Sequence, residues 1–219
     1  MLKGKVAIVT GGTRGIGALT AAKLSGRGWR VIAPSRAEMD VCDFSSVPAF
    51  CRDLFRRLDM LDALVLNAGQ WQSTPLPQQT GVEMYAQINY TFGHAWLMGA
   101  ALDYLKRAGG CVVGVASTRA LIGGVECCAY SMAKAALLNM LMGYAREFKG
   151  VRFNCICLGL TATDMERDVR ATGGAKPGVA AQPPSAVADA IVGLIESDEN
   201  GAVLRVVDGQ VTRARWVWE

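Results

Sequence analysis

Histidine is the scarcest chemically active residue in this sequence, because the 219-residue chain contains only His94. A zinc site built from histidine and cysteine, or a serine–histidine–aspartate triad, has very little to draw on in such a chain. The seven cysteines are odd in number and include no Cys-x-x-Cys pair, which favours reduced thiols over a disulfide framework. We therefore predict no metal site.

A membrane span and a strong charge of one sign are also missing. The longest stretch without a formal charge, residues 84–102, contains Gln87 and Asn89, so it is typical of a buried helix. The 23 lysines and arginines are balanced by 19 acidic residues, and no basic patch indicates a nucleic-acid partner. No signal-peptide core follows the first residues. We expect a cytoplasmic protein that binds neither nucleic acid nor a membrane.

Short β-branched runs alternate with longer amphipathic segments along the whole chain. Residues 5–10 have the continuous apolar pattern of a buried parallel strand. Further strands are predicted at 30–33, 63–67, 111–116, 152–157 and 203–207, and helices at 15–27, 45–57, 82–108, 129–149 and 186–196. Repeated strand-then-helix order predicts parallel strands with helices on both faces. The sequence thus predicts one α/β domain over residues 1–219, doubly wound around a parallel sheet.

A glycine-rich turn separates the first predicted strand from the first predicted helix. Gly11, Gly15 and Gly17 have the spacing Gly-x-x-x-Gly-x-Gly. Glycines there let a pyrophosphate approach bare backbone N–H groups at a helix N-terminus, where the helix dipole favours negative charge. Any tight turn favours glycine, but this position in a strand–helix–strand pattern predicts nucleotide binding.

A serine and a tyrosine–lysine pair follow a later strand. Ser117 comes at the end of the predicted strand, and Tyr130 and Lys134 begin the next predicted helix. Residues four apart lie on the same helical face, so the lysine charge is expected to lower the pKa of the phenol from its usual value near 10. This arrangement predicts a site of proton transfer.

In this order and spacing, the motifs resemble those of the short-chain dehydrogenase/reductase family: the glycine turn, Asn67-Ala68-Gly69, Asn89, Ser117, Tyr130-x-x-x-Lys134, and Gly159 with Thr163. The resemblance covers nearly the whole chain and implies a Rossmann-type fold. It also implies hydride transfer between a nicotinamide cofactor and a small carbonyl compound or secondary alcohol. Tyr130 would be the general acid/base, Ser117 would bind the carbonyl oxygen, and Lys134 would hold the nicotinamide ribose. Asn89 would hold a water beside Lys134.

The same resemblance assigns cofactor contacts to Gly11, Thr13, Arg14, Gly15, Ile16, Gly17, Ser35, Arg36, Asp40, Val41, Asn67, Ala68, Gly69, Tyr130, Lys134, Gly159, Leu160 and Thr163. In this fold an acidic residue at the end of the second strand selects NAD, and Ser35 occupies that position here. Arg36 follows it, and two guanidiniums, Arg14 and Arg36, can bracket a 2′-phosphate. We therefore predict that NADP(H) is preferred over NAD(H), the alternative being that both arginines are solvated surface residues.

Two departures from the family pattern concern the backbone. Only three residues separate Arg36 from Asp40, whereas a parallel crossover needs a dozen or more. We therefore predict that the third strand of the family fold and the helix before it are truncated or absent, with Asp40 and Val41 on a loop near the cofactor. Leu158 also stands where the family has a proline before Gly159.

Other functions and an assembly also follow from the resemblance. A pteridine reductase acting on a C=N bond and a non-catalytic NADP(H)-binding regulator are the alternatives to a carbonyl reductase. Family members pair through the long helix and the tyrosine-bearing helix, so we expect a homodimer or homotetramer through small and apolar residues such as Ala95, Ala100, Ala101, Ala136, Leu137, Met140 and Leu141. Trp216 and Trp218 are expected to anchor an interface or cover the site.

Overall fold

A computed structural model describes residues 4–175 and 178–214. Its strands are β1 (Val6–Val9), β2 (Arg30–Ile32), β3 (Ala63–Leu66), β4 (Cys111–Ser117), β5 (Arg152–Leu158), β6 (Val203–Val207) and β7 (Gln210–Arg213). They form one sheet in the order β2-β1-β3-β4-β5-β6-β7. The first six strands pair in parallel, and β7 pairs antiparallel with β6.

Helices cover both faces of this sheet. They are α1 (Gly15–Ser25), α2 (Ser46–Phe55), α3 (Gly81–Ala108), α4 (Arg119–Ile122), α5 (Cys128–Glu147), α6 (Asp164–Ala171) and α7 (Pro184–Glu196). The apolar sides of α2, α3 and α5 share one core with the sheet, and those of α1 and α7 form a second core on the opposite face. The α/β class and the doubly wound arrangement are therefore confirmed.

The longest helix, α3, begins at a capping box. Thr80 Oγ1 accepts a hydrogen bond from the Glu83 N–H, and the Glu83 carboxylate accepts one from the Thr80 N–H at 2.8 Å. These bonds satisfy backbone donors that the first helical turn leaves free. The helix ends at Gly109, whose φ of +61° suits a left-handed C-cap. Clear start and stop signals explain why the predicted helix, 82–108, differs from the observed one by only one residue.

The segment between β2 and α2 is short and irregular. Residues 33–45 contain turns and neither a helix nor a strand, and β3 pairs directly with β1. Met39 and Val41 are nevertheless buried in the core under α3. The segment is therefore packed against the domain without belonging to the sheet.

The antiparallel strand β7 corrects the expectation of a wholly parallel sheet. A two-residue turn at Asp208 and Gly209, both with positive φ (52° and 75°), returns the chain alongside β6. That conformation is the one an Asp-Gly hairpin turn prefers, and it gives a seventh strand that the sequence prediction omitted. Trp216 and Trp218 lie outside the described residues. Among those described, no helix is long and apolar enough to cross a membrane, and all seven cysteines are free.

Candidate active site

A cavity of about 550 Å³ opens at the carboxyl ends of the central strands. The chain runs outward from β1 to β2 and returns to β3 on the other side of β1. The strand order therefore reverses at β1, and ligands of such sheets bind in the crevice at that point. Seventeen predicted site residues line this cavity: Gly11, Thr13, Arg14, Gly15, Ile16, Arg36, Asp40, Val41, Asn67, Ala68, Gly69, Ser117, Tyr130, Lys134, Gly159, Leu160 and Thr163. The fold therefore gathers most of the predicted site into one space.

The glycine turn forms one end of the cavity. Gly11 and Gly15 have positive φ values of 61° and 55°, which glycine adopts without steric cost. The first turn of α1 carries no acidic side chain, and no side chain caps its N-terminus. Its backbone N–H groups and the positive end of the helix dipole therefore suit a pyrophosphate.

Gly17 is a predicted contact residue that does not line the cavity. A Cβ atom at this position would lie 2.3 Å from the carbonyl oxygen of Gly11 and 2.6 Å from Asn67 Nδ2. The missing side chain thus lets α1 pack directly on the turn. Its role in this structure is to shape the turn from behind.

Asn67 braces the same turn from the end of β3. Its Nδ2 donates to the carbonyls of Thr10 at 2.9 Å and Gly11 at 3.1 Å. The Thr10 hydroxyl oxygen accepts the backbone N–H groups of Asn67 and Ala68 at 2.9 and 3.0 Å. The same hydroxyl donates to the Val65 carbonyl at 3.3 Å and lies 3.0 Å from His94 Nε2, within hydrogen-bond distance. Thr10 therefore links the glycine turn to the end of β3 and to His94 of α3.

Ser117, Tyr130 and Lys134 meet at the opposite end of the cavity. Ser117 is the last residue of β4, and the other two lie in the first two turns of α5. Lys134 Nζ donates to the carbonyl of Val115 at 2.8 Å and lies 5.8 Å from the centre of the Tyr130 ring. A Cβ atom on Gly69 would approach that Nζ to 3.1 Å, so the glycine leaves the ammonium group room beside the cavity.

Burial controls the ionisation of this pair. It raises the pKa of Tyr130 to about 12, an effect opposed by the Ser117 hydroxyl and by the charge of Arg119. Burial also lowers the pKa of Lys134 to about 8. The predicted lowering of the tyrosine pKa by Lys134 is therefore not found, because desolvation of the phenolate is the larger effect. Tyr130 is a protonated phenol at neutral pH.

Asn89 is a predicted catalytic residue that the structure does not bring to the site. A small cavity of about 10 Å³ beside Lys134 is lined from α3 by Gln87, Tyr90, Thr91 and His94. Asn89 is two residues from Gln87, about 200° around the helix, and it lines neither cavity. Thr91 Oγ1 instead donates to the carbonyl of Ala133 at 2.9 Å, next to Lys134. Helical spacing of Gln87, Thr91 and His94 was the signal that would have identified this face.

Ser35 is likewise absent from the cavity wall. Its backbone N–H and hydroxyl both donate to the carboxylate of Glu38, at 2.8 and 2.7 Å, so a local turn occupies its polar atoms. The neighbouring Arg36 does line the cavity, with Nε donating to Asp40 at 2.7 Å. Its side chain remains 72% exposed. The cavity rim at β2 therefore presents an arginine that is paired with Asp40.

Residues beyond the predicted set form the wall next to Tyr130. Trp71 packs edge-on against the Tyr130 ring at 4.9 Å and donates from Nε1 to Thr172 Oγ1 at 2.9 Å. Met165 and Val169 of α6 pack against the cluster that these two rings form with Cys127. Arg119, two residues after Ser117, also lines the cavity. The sequence signal for this wall was weak because its parts are far apart in the chain.

The chain is similar to known proteins over most of its length. A family model for short chain dehydrogenases matches residues 33–174. Cis-4-hydroxycyclohexanecarboxylate dehydrogenase of Sinomonas cyclohexanicum is 31% identical over 95% of this chain and 96% of its own. The reductase FabG of Vibrio harveyi, which acts on 3-oxoacyl-acyl-carrier-protein, is 28% identical over 76% of this chain and 77% of its own. The structure of ElxO with NADP bound has a TM-score of 0.83, 24% identity and coverage of 94% and 98%. These matches show that the chain belongs to the short-chain dehydrogenase family of oxidoreductases.

Proposed function

We propose that this protein is an NADP(H)-dependent oxidoreductase that reduces a small carbonyl compound to a secondary alcohol. One observation carries the proposal: Ser117, Tyr130 and Lys134 line the same cavity as the glycine turn at the N-terminus of α1. A dinucleotide in that cavity can hold its pyrophosphate at the turn and its nicotinamide near Tyr130. When bound, the nicotinamide supplies the hydride.

The chain's own residues then bind the carbonyl oxygen and donate one proton to it. The hydroxyl groups of Ser117 and Tyr130 hydrogen-bond the carbonyl oxygen, and Tyr130 donates its proton to that oxygen. Because burial raises the pKa of Tyr130 to about 12, its proton is present at neutral pH and available for transfer to the carbonyl oxygen. Lys134, beside Gly69, holds the ribose hydroxyls of the nicotinamide half.

The preference for NADP(H) rests on the cavity rim at the end of β2. Arg14 and Arg36 both line the cavity there, and among the described residues the acid at that rim is Asp40, which pairs with Arg36. A 2′-phosphate can replace Asp40 as the partner of Arg36 and can accept a second contact from Arg14. The match to ElxO with NADP bound agrees with this assignment.

A carbonyl substrate is favoured over the two alternatives. Both relatives described above are named for oxo or secondary hydroxyl compounds. The Ser117 hydroxyl beside Tyr130 suits a carbonyl oxygen better than the C=N bond of a pteridine. A purely regulatory NADP(H)-binding role would leave the serine, tyrosine and lysine without a use.

We also propose that the protein works as a homodimer or homotetramer in the cytoplasm. Ala101, Leu137 and Leu141 of the predicted interface set are buried core residues, so they are unavailable for pairing. Phe92 and Trp96 of α3 and Met132 of α5 are 53%, 49% and 40% exposed. These side chains are the apolar surface that a second copy would cover.

The substitution Tyr130→Phe tests the catalytic assignment. It removes the proton donor and retains the ring that packs on Trp71, so NADPH oxidation with a ketone panel should fall by about 10²–10⁴-fold. NADPH affinity, measured by calorimetry, should change little. Tyr144→Phe is the matched control, since Tyr144 packs on Phe148 and Phe153 in the core. Normal turnover by Tyr130→Phe would contradict the mechanism.

A further inference from the structure

Arg119 is a charged residue at the substrate end of the cavity for which the mechanism above has no use. It begins α4, and its backbone N–H donates to Ser117 Oγ at 3.2 Å. This bond holds the arginine backbone close to the hydroxyl that binds the carbonyl oxygen. Its side chain is half-buried and lines the cavity.

The guanidinium is positioned by neutral groups. Its Nη2 donates to the carbonyl of Gly174 at 3.1 Å, and Gly124 leaves room for its stem, because a Cβ atom there would lie 2.9 Å from Arg119 Cδ. Gly174 in turn lies against the Trp71 ring, because a Cβ atom on Gly174 would be only 2.4 Å from that ring. The arginine is therefore fixed between the end of β4 and the Trp71 wall.

Within the described residues, no carboxylate forms an ion pair with Arg119. The acids of α6 that also line the cavity, Asp164 and Glu166, pair with Arg167 and Arg170 of their own helix. Arg119 uses one of its five N–H donors on Gly174, so the others remain available. A half-buried guanidinium with free donors in a cavity is suited to a planar anion.

We propose that Arg119 binds a carboxylate on the substrate, so that the preferred substrate is a ketone that carries a carboxylate on a compact hydrocarbon body. This inference rests on the proposed reductase function and narrows its substrate class. The hydrocarbon part lies against Trp71, Met165 and Val169, which form the apolar wall beside Tyr130. The oxygen of the ketone lies at Ser117 and Tyr130, and the carboxylate lies at the guanidinium.

Two ketones of nearly the same shape test the proposal: 4-oxocyclohexanecarboxylate and the uncharged 4-oxocyclohexanecarboxamide. The unmutated protein should reduce the carboxylate with the higher kcat/KM. Arg119→Gln should lower kcat/KM for the carboxylate by about 10- to 100-fold, the usual effect of losing a hydrogen-bonded charge partner. It should change kcat/KM for the amide by less than about 3-fold, which is well below the effect of losing one hydrogen bond to a charged group. Arg119→Lys should restore part of the preference.

The control is Arg107→Gln, which removes the same charge from the C-terminal end of α3 and should leave both ketones unaffected. Equal kcat/KM values for the two ketones in the unmutated protein would overturn the proposal. An equal loss of kcat/KM for both ketones in Arg119→Gln would also overturn the proposal, because it would indicate that the Arg119–Gly174 contact only supports the structure of the site.

Calorimetric binding of cyclohexanecarboxylate to the NADP⁺-saturated protein separates this inference from the proposed reductase function. The dissociation constant should rise by about 10- to 100-fold in Arg119→Gln. Absence of NADPH oxidation with every ketone would count against the reductase function alone. Absence of carboxylate binding to the unmutated protein would refute the role of Arg119, whatever the turnover.

Discussion

A single buried histidine illustrates how environment decides the chemistry of a residue. His94 is 1% exposed and makes one hydrogen bond, between its Nε2 and the Thr10 hydroxyl. Burial, with a smaller contribution from the charge of Lys134, lowers its pKa to about 3. The residue is therefore a neutral part of the core behind the glycine turn rather than a general base.

His94 gives a prediction that can be read without interference, because the chain has no other histidine. In NMR spectra of the native protein, its imidazole signals should be those of a neutral ring at pH 7. They should not titrate between pH 8 and pH 5. A midpoint near 6.5 would contradict the burial of this ring behind the glycine turn.

The same pKa shift makes stability depend on pH. An unfolded chain binds a proton at His94 below about pH 6.5, and the folded chain does so only near pH 3. The full contribution to the free energy of unfolding is thus present above pH 6.5 and is lost as the pH falls, by about 1.4 kcal/mol per unit. The free energy of unfolding in urea should fall less between pH 7 and pH 5 for His94→Gln than for the unmutated protein.

The proposed preference for NADPH over NADH depends on Arg36. Arg36→Ala removes a partner of the 2′-phosphate, and a hydrogen bond to a charged group contributes about 1.5–3 kcal/mol. The dissociation constant for NADPH should therefore rise by roughly 10- to 100-fold, and that for NADH should change little. Calorimetry with both cofactors measures this, and Arg27→Ala, two residues beyond the end of α1, is the control. Equal affinity of the unmutated protein for both cofactors would show that the arginines do not contact the phosphate.

At the scale of elements, the irregular segment 33–45 depends on α3 for its position. The Asp40 N–H donates to Ser46 Oγ at 3.0 Å, and the Asp40 carboxylate accepts the Cys42 N–H at 2.9 Å. Gly93 of α3 lies directly against Val41, because a Cβ atom there would be only 1.7 Å from the Val41 carbonyl oxygen. Close packing of a helix on a bare backbone thus replaces the sheet pairing that this segment lacks.

Gly93→Ala should break that contact. The added methyl group meets backbone rather than a flexible side chain, and overpacking of this kind costs about 1–3 kcal/mol. We expect a lower urea midpoint and weaker NADPH binding, since the displaced segment carries Arg36. Gly193→Ala in α7 has no atom within 4 Å of the new Cβ and should be neutral or stabilising by about 0.5–1 kcal/mol. Similar stability for both variants would refute the packing argument.

At the scale of the whole molecule, exposed apolar side chains on α3 predict self-association. Trp96 is 49% exposed, and its ring lies 6.1 Å from that of the exposed Phe44. Light scattering at micromolar concentration should give a dimer or tetramer. Trp96→Glu should shift the protein towards the monomer with its circular dichroism spectrum unchanged. A monomeric unmutated protein, or an unaltered mass for Trp96→Glu, would contradict the proposed interface.

Local patterns in the sequence determined the order of the elements and the residues that follow each strand. Gly11, Ser117 and Tyr130 could be predicted because each stands at a strand end or helix start whose type depends on nearby residues. Parallel strands then bring such positions to one edge of the sheet. The family resemblance supplied their expected roles.

Tertiary packing decided which side chains face the site and how they ionise. Asn89 matched a motif but lines neither cavity, since the direction of a side chain depends on how the whole helix packs. Arg119 reached the cavity through its contact with Gly174, 55 residues away in sequence. The pKa of Tyr130 rose because burial, a property of the assembled fold, outweighs the effect of a neighbouring charge. Sequence spacing specifies neighbours along the chain, whereas burial and long-range contacts arise only when distant segments pack together.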